Sequence, residues 1–367
     1  MRIAIDASKA FLHERTGIEE YSYQLIKHLR KYLLDEQVIL YLRKGTEENI
    51  DFNLPPNWEV KELAARRFWT YWRLSWEILF HWPDRLLISS HIVPPIHPKN
   101  TTTVIHGIEY EIYPEAYSKK EYRTMRRGIR NSCKWAKRII CVSNNTKKDL
   151  VDYYKVPETK MRVIYEGVNP VCESEEHYDT ILLQRNGLER KKYLFFVGRL
   201  EERKNIVNIL KAFEILKTHF RMPHKLVLAG KTGFGWKYIE EELEEHEYKD
   251  DILLTGFVTD QEKWAFLRNA SVFVFPTLYE GFGLPILEAQ QVGVPVVTSD
   301  HSSLKETALE SALMADPHVP AEIAEKIHVL ISDQEKRNDV INRGYENIKR
   351  FSWDRCAKLM AKVLRMG

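Results

Sequence analysis

Fourteen residues, Phe275-Pro276-Thr277-Leu278-Tyr279-Glu280-Gly281-Phe282-Gly283-Leu284-Pro285-Ile286-Leu287-Glu288, constrain this chain more than any other stretch. They continue from Val272-Phe273-Val274, an apolar β-branched and aromatic run of the kind that fills a buried strand. Pro276 breaks the run, two glycines follow, and Leu284-Pro285 restarts as a helix, since proline is accepted in a first helical turn. A glycine-rich strand-to-helix turn aims backbone N–H groups and the positive helix end at one point, which suits a phosphate. Glu280 and Glu288 bracket that point. Carboxylates repel a phosphate, so their expected partners are hydroxyls. Phosphate plus hydroxyls points to a sugar nucleotide.

At 367 residues the chain is too long for one ordinary core, and two domains are expected. Apolar residues make up 44% and charged residues 29%, the balance of a soluble globular protein. A net charge of +3 names no partner. Cys133, Cys141, Cys172 and Cys356 have neither metal-ligand spacing nor the look of a disulfide framework, which favours a reducing cytoplasm. Met1-Arg2-Ile3-Ala4-Ile5-Asp6 runs straight into a strand without a signal-peptide core. No apolar run approaches the roughly 20 residues that a spanning helix needs. The expected location is cytoplasmic, with room for peripheral contact on the inner face of the plasma membrane.

Strands alternate with helices along both halves. Arg2 to Ala7 reads as a strand, and Gly17-Ile18 opens an amphipathic helix; only one glycine stands where a dinucleotide fingerprint needs three. Phe68 to Trp82 carries Trp69, Tyr71, Trp72, Trp76, Phe80 and Trp82, expected first as a helix packed into the core or against a neighbour and second as an aromatic surface for an acceptor or a lipid interface. The strand Thr101 to Ile105 ends in His106-Gly107, where parallel sheets place ligand contacts. Between Ser118 and Arg138, nine lysines and arginines face a single acid, Glu121. Wound as a helix they share one face, either simply solvated or set against anionic lipid. No nucleic-acid motif accompanies them, so no nucleic acid is expected as a partner. Residues 176–192 lack clear periodicity and read as a linker, after which the alternation restarts at Tyr193.

Arg199 and Lys204 lie just past the strand Tyr193 to Val197, beside a helix start at Asn205. Two cations there suit a diphosphate, whose negative charge on leaving must be neutralised by metal or by protein. No Asp-x-Asp or His/Cys cluster of ligand character is evident, so protein cations are expected to replace a metal, and no metal or other cofactor is expected.

Together these residues resemble a retaining glycosyltransferase of family 4, with the GT-B fold. The matching segments are Gly17-Ile18, His106-Gly107-Ile108-Glu109-Tyr110, Gly167-Val168-Asn169, Val197-Gly198-Arg199 with Arg203-Lys204-Asn205, Gly256-Phe257-Val258, the Glu-x7-Glu stretch, and Phe351-Ser352-Trp353. His106 to Tyr110 with Pro114-Glu115-Ala116-Tyr117 looks most like mannosyltransferase-like members. The resemblance implies an α/β protein of two doubly wound parallel-sheet, Rossmann-like domains facing across a cleft. Residues 1–175 with about 353–367 would form the acceptor-side domain and residues 193–352 the nucleotide-sugar domain. It also implies roles: Arg199 and Lys204 on the diphosphate, and Gly281, Phe282, Gly283 and Leu284 at the distal phosphate and sugar. Glu280 would hold donor-sugar hydroxyls, Glu288 the ribose, Phe257 and Val258 the base. Gly17 would let the first loop approach the phosphates, and His106 would sit by the transferred sugar. The expected reaction moves a hexose, mannose from GDP-mannose as the first choice, onto a glycolipid or polysaccharide-precursor hydroxyl. UDP-sugars are the close alternative; a GT-B epimerase or phosphorylase, or a silent nucleotide-sugar-binding scaffold, follow behind.

Overall fold

The computed structural model describes residues 1–13, 15–65, 68–173 and 175–366. They form two compact units. One holds Met1–Pro114, Ser118–Gly167 and Phe351–Gly367; the other holds Glu115–Tyr117 and Val168–Arg350.

The first unit is built on seven parallel strands: β1 (Arg2–Asp6), β2 (Gln37–Arg43), β3 (Trp58–Leu63), β4 (Arg85–Ile88), β5 (Thr101–Ile105), β6 (Arg138–Cys141) and β7 (Met161–Val163). Their order is β3-β2-β1-β4-β5-β6-β7, so the winding reverses between β1 and β4. Central strands such as Thr101–Ile105 are buried along their whole length, which is why they read as continuous runs. β3 carries Glu59, Lys61 and Glu62 at the sheet edge, and that charge hid it from the sequence reading. Helix Gly17–Leu29 follows β1, and the last helix, Trp353–Arg365, packs on it. A Cβ on Gly167 would lie 2.1 Å from the Trp353 backbone nitrogen, so only glycine lets the chain pass the start of that helix.

The second unit has six parallel strands: β8 (Tyr193–Val197), β9 (Lys225–Ala229), β10 (Ile252–Gly256), β11 (Val272–Phe275), β12 (Val296–Ser299) and β13 (Leu313–Ala315). Their order, β10-β9-β8-β11-β12-β13, repeats the doubly wound pattern, with the reversal between β8 and β11. Phe195, Phe273 and Phe275 are buried at its centre, Phe195 and Phe273 paired in register across β8 and β11. The two Rossmann-like sheets of the expected α/β, GT-B architecture are therefore present.

Two expectations are corrected. Residues 176–192, read as a linker, contain helix Glu176–Arg185. Leu183 is buried against the second core, and the Asn269 side-chain amide donates to Asp179 Oδ2 at 2.9 Å. Anchoring through Leu183, the adjacent half-buried Leu182 and a buried polar pair leaves little apolar periodicity to detect. The aromatic stretch is not a core helix. A wide π-helical turn, Trp69–Leu74, leads into helix Ser75–Phe80, and only Trp69 of its tryptophans is buried, donating from Nε1 to Asp6 Oδ1 at 3.1 Å. Trp72 is 73% exposed and Trp76 60%, with Phe80 and Trp82 also on the surface. The second reading, an aromatic surface, describes this segment.

Candidate active site

In open doubly wound sheets, ligands bind outside the carboxyl ends of the strands where the winding reverses. In the second unit that point lies between β8 and β11. The chain leaving β8 passes Gly198 and Arg199 and makes a short turn at Glu202–Lys204; the chain leaving β11 runs through Pro276 to Glu280. Backbone and side chains lace these loops together. Leu278 N–H donates to Arg203 O at 3.0 Å, and Arg203 Nη1 donates to Tyr279 O at 2.7 Å. Asn205 takes a left-handed conformation, φ 64°, which asparagine tolerates, and its amide donates to Pro276 O (2.9 Å) and Pro317 O (2.7 Å).

The lacing brings Lys204 Nζ into an ion pair with Glu280 Oε1, with Arg203 Nη1 3.7 Å from the same oxygen. Burial disfavours the Glu280 carboxylate, but Lys204 and Arg203 outweigh it and hold its pKa below the usual carboxylate range. Burial pushes the Lys204 ammonium the other way, below its ordinary value, against the pull of Glu280. Lys204 and Glu280, given separate roles from sequence, are thus in contact. Arg199 stands apart: its side chain is exposed, and its stem lies over Gly233, where a Cβ would meet Arg199 Cδ at 2.8 Å.

Gly283 sits at φ 105° immediately before helix Leu284–Gln291, and a Cβ there would come within 2.7 Å of Leu304 Cδ2. The turn between is held from below: Glu280 N–H donates to Ser302 Oγ (3.0 Å), Ser303 Oγ donates to Glu280 O (2.7 Å), and Thr307 Oγ1 donates to Phe282 O (2.5 Å). Glu288, one turn into that helix, is buried and paired with Lys263 Nζ at 3.0 Å, and accepts the Asn169 amide at 3.1 Å. Burial alone would lower the Lys263 pKa, yet Glu288 and Asp260 raise it above its ordinary value. Phe257 is 54% exposed beyond β10, with Lys231 Nζ 4.5 Å from its ring centre; Val258 beside it is half-buried.

In the first unit the reversal lies between β1 and β4, and His106, beyond β5, reaches it. Its Nε2 is 2.9 Å from Ser89 O, just past β4, and its Nδ1 is 3.5 Å from Glu166 Oε1. Tyr21 packs edge-on to the imidazole with ring centres 4.5 Å apart. Gly17 is exposed at the first position of its helix, and a Cβ there would meet nothing within 4 Å. Neither the fold nor packing demands glycine here.

Residues 180–347 match the family described as Glycosyl transferases group 1, and residues 15–171 match Glycosyltransferase Family 4. The chain is 29% identical to O-antigen chain mannosyltransferase B of Escherichia coli, over 96% of each chain. It is 24% identical to O-antigen chain mannosyltransferase RfbU of Salmonella typhimurium, over 95% of this chain and 96% of that one. The chain belongs to the family 4 glycosyltransferases. The fold of this glycosyltransferase also superposes on the crystal structure of Anabaena Alr3699/HepE in complex with UDP and glucose, with a TM-score of 0.77, 17% identity and 99% of each chain covered.

Several members of the candidate site were not assigned from sequence. Arg203, quoted only as part of a motif, shares Glu280 with Lys204. Lys263 and Asn169 hold Glu288, although 25 and 119 residues separate them from it. Ser302 and Ser303 fix the Glu280 backbone from 22 and 23 residues away. Glu166 stands beside His106. Arg203 and Asn169 stand in matching segments, but none of these roles has a local signal, because each is made by reaching across strand ends. Neutralising Lys263 as Lys263→Met is expected to leave Glu288 buried without its cation and to raise the donor KM about tenfold, with a smaller change in kcat. Steady-state kinetics with the donor varied would check this.

Proposed function

We propose that this glycosyltransferase moves mannose from GDP-mannose to a hydroxyl of a glycolipid or polysaccharide precursor, with retention at the anomeric carbon and without a metal ion in the reaction. The observation that carries the proposal is the Lys204–Glu280 pair with Arg203 at the β8–β11 reversal. Lys204 and Arg199 provide the positive charge that a departing nucleoside diphosphate needs, replacing a metal. In the free protein Glu280 neutralises Lys204. When a donor binds, the diphosphate takes the cation, and Glu280 turns to the sugar hydroxyls. Glu288, held by Lys263 and Asn169, meets the ribose; Gly281 to Leu284 meet the distal phosphate, and Phe257 with Val258 the base. His106 and Gly17 serve the transferred sugar and the phosphates. Likeness along the whole chain to two O-antigen mannosyltransferases supports mannose as the sugar.

The donor is tested by calorimetry. GDP-mannose is expected to give a saturable heat and UDP-glucose none at the same concentrations; the reverse result would transfer the assignment to UDP-sugars. Mannose transfer from GDP-mannose to lipid-linked acceptors, with the anomeric configuration of the product read by NMR, tests acceptor class and retention together.

A lipid-linked acceptor requires approach to a membrane, and two surfaces of the first unit support that reading. Helix Lys119–Trp135, started by a Ser118–Glu121 capping box, exposes Lys119, Lys120, Arg123, Arg126, Arg127 and Arg130. The exposed aromatics Trp72, Trp76 and Phe80 lie on the neighbouring segment, whose Tyr71 hydroxyl is 3.4 Å from where a Gly128 Cβ would stand. Such a mixture of basic and aromatic side chains suits an anionic interface. No helix among the described residues is long and apolar enough to cross a membrane. Arg126 is tied to Glu111 at 3.1 Å, so Arg123 and Arg127 are the better probes. Arg123→Glu/Arg127→Glu is expected to weaken co-sedimentation with phosphatidylglycerol vesicles at least about tenfold. Equal sedimentation with phosphatidylcholine would remove the electrostatic reading.

A further inference from the structure

β12 and β13 are parallel neighbours, and Ser299 opposite Ala315 is their last register pair. Asp300 and Asp316 are therefore the first residues beyond the sheet on adjacent strands, with Asp300 N–H still donating to Ala315 O at 3.3 Å. Two aspartates thus leave adjacent strand ends, and no lysine or arginine forms an ion pair with either among the described residues. The histidines that follow them, His301 and His318, face each other with ring centres 5.7 Å apart. One ligand atom each from His301, Asp316 and His318 lies within 4.8 Å of the others.

We propose that His301, Asp316 and His318 bind a divalent transition-metal ion of the zinc type. Three details raise the cluster above a chance meeting of surface polar groups. His301 Nδ1 is 2.6 Å from Asp300 Oδ1, so the carboxylate fixes the tautomer and leaves Nε2 as the coordinating nitrogen. That is the carboxylate–histidine–metal arrangement found around protein-bound zinc. Asp316 Oδ1 accepts the His318 backbone N–H at 2.8 Å, which orients the carboxylate and spares Oδ2. The loops are also anchored independently of any ion: Pro317 O accepts the Asn205 and Asn208 amides at 2.7 and 2.9 Å, and Ser303 Oγ donates to Glu280 O at 2.7 Å.

Zinc bonds of about 2.0–2.1 Å place tetrahedral ligand atoms roughly 3.4 Å apart. The three ligand atoms, now within 4.8 Å of one another, would close to that spacing, and His318 is exposed. Two imidazoles and one carboxylate select zinc, cobalt or nickel over magnesium and calcium, which want mostly oxygen ligands. The metal would clip the loop 300–303 to the loop 316–318. These two loops support Glu280 and Asn205, so occupancy would brace the turn that carries the donor-facing carboxylate. The ion has no part in the chemical step, and the proposal stands whichever nucleotide sugar is the donor.

The test uses untagged full-length protein stripped with EDTA and titrated with Co²⁺, followed by competition with Zn²⁺. One equivalent of Co²⁺ is expected to give a visible d–d band of four- or five-coordinate intensity, displaced by Zn²⁺ and untouched by millimolar Mg²⁺. His301→Ala and His318→Ala should each weaken binding at least about tenfold, and Asp300→Asn about tenfold through the lost orientation of His301. Circular dichroism and thermal melting of the metal-free variants, which change surface residues only, report whether they are folded. Absence of saturable Co²⁺ or Zn²⁺ binding below about 1 mM would overturn the proposal. Binding unchanged in a folded His301→Ala/His318→Ala protein would place the metal elsewhere and overturn it equally.

Discussion

Replacing Lys204 by alanine is expected to lower the rate of sugar transfer by about 10²–10³-fold, the usual cost of losing one charge-stabilising group in a preorganised site. Lys204 and Glu280 retain only 12% and 15% of their side-chain exposure, so the deletion also strands a buried carboxylate. Breaking such a pair from one side costs about 3 kcal/mol, because the remaining charge keeps its desolvation penalty and loses its nearer partner, with only Arg203 left at 3.7 Å. Two effects therefore overlap and need separate readings. Thermal melting reports the stranded carboxylate. The affinity of the folded variant for the free nucleoside diphosphate, set beside kcat, reports the lost charge stabilisation. A variant that melts lower but binds the diphosphate and transfers sugar as the parent does would leave Lys204 a structural partner of Glu280 and nothing more.

Gly230→Ala should damage the protein without touching a single charged group. Gly230 follows β9 with φ 144°, and a Cβ built there would lie 1.8 Å from the carbonyl oxygen of Gly198. That oxygen is backbone and has no rotamer in which to retreat. Its neighbour Gly198 N–H is bonded to Ala229 O at 2.9 Å, so the two strand ends move together or not at all. A loss of about 3 kcal/mol or more is expected, at the upper end for overpacking. For a unit of this size that corresponds to a fall in Tm of roughly 6–12 °C. Arg199 is the next residue after Gly198, so donor affinity should fall as well, measured by calorimetry at a temperature where the variant is folded. Gly17→Ala makes the contrast. Its added Cβ meets open space, so any effect there would fall on ligand binding and leave Tm nearly unchanged.

Much of this was legible before any coordinates. The continuous apolar runs at Tyr193 to Val197 and Val272 to Phe275 could only be buried parallel strands, and both are fully or nearly fully buried. Pro285 was readable as part of a first helical turn, and it stands there in helix Leu284–Gln291. Short chain segments with one dominant face or one special residue announce themselves in this way. Helix Glu176–Arg185 did not, because its anchor is a single buried leucine and a polar pair to Asn269. The aromatics from Phe68 to Trp82 misled for the opposite reason. Large apolar side chains count as core in any pattern, and the π-helical turn that leaves Trp72 and Trp76 in solvent has no signature of its own.

At the turn from Phe275 to Glu288, sequence alone determined the strand, the break, the glycine cap and the two carboxylates. These depend on backbone preferences of residues next to one another. Tertiary structure decided what each carboxylate faces. Glu280 meets Lys204 and Arg203 because β8 lies beside β11, and Glu288, one turn into the helix, meets Lys263 and Asn169. The same rule holds for His301, Asp316 and His318, gathered only because β12 and β13 end in register. Residue types and local spacing are written along the chain. Partnerships between strand ends arise from sheet order, which is set by the packing of the whole unit.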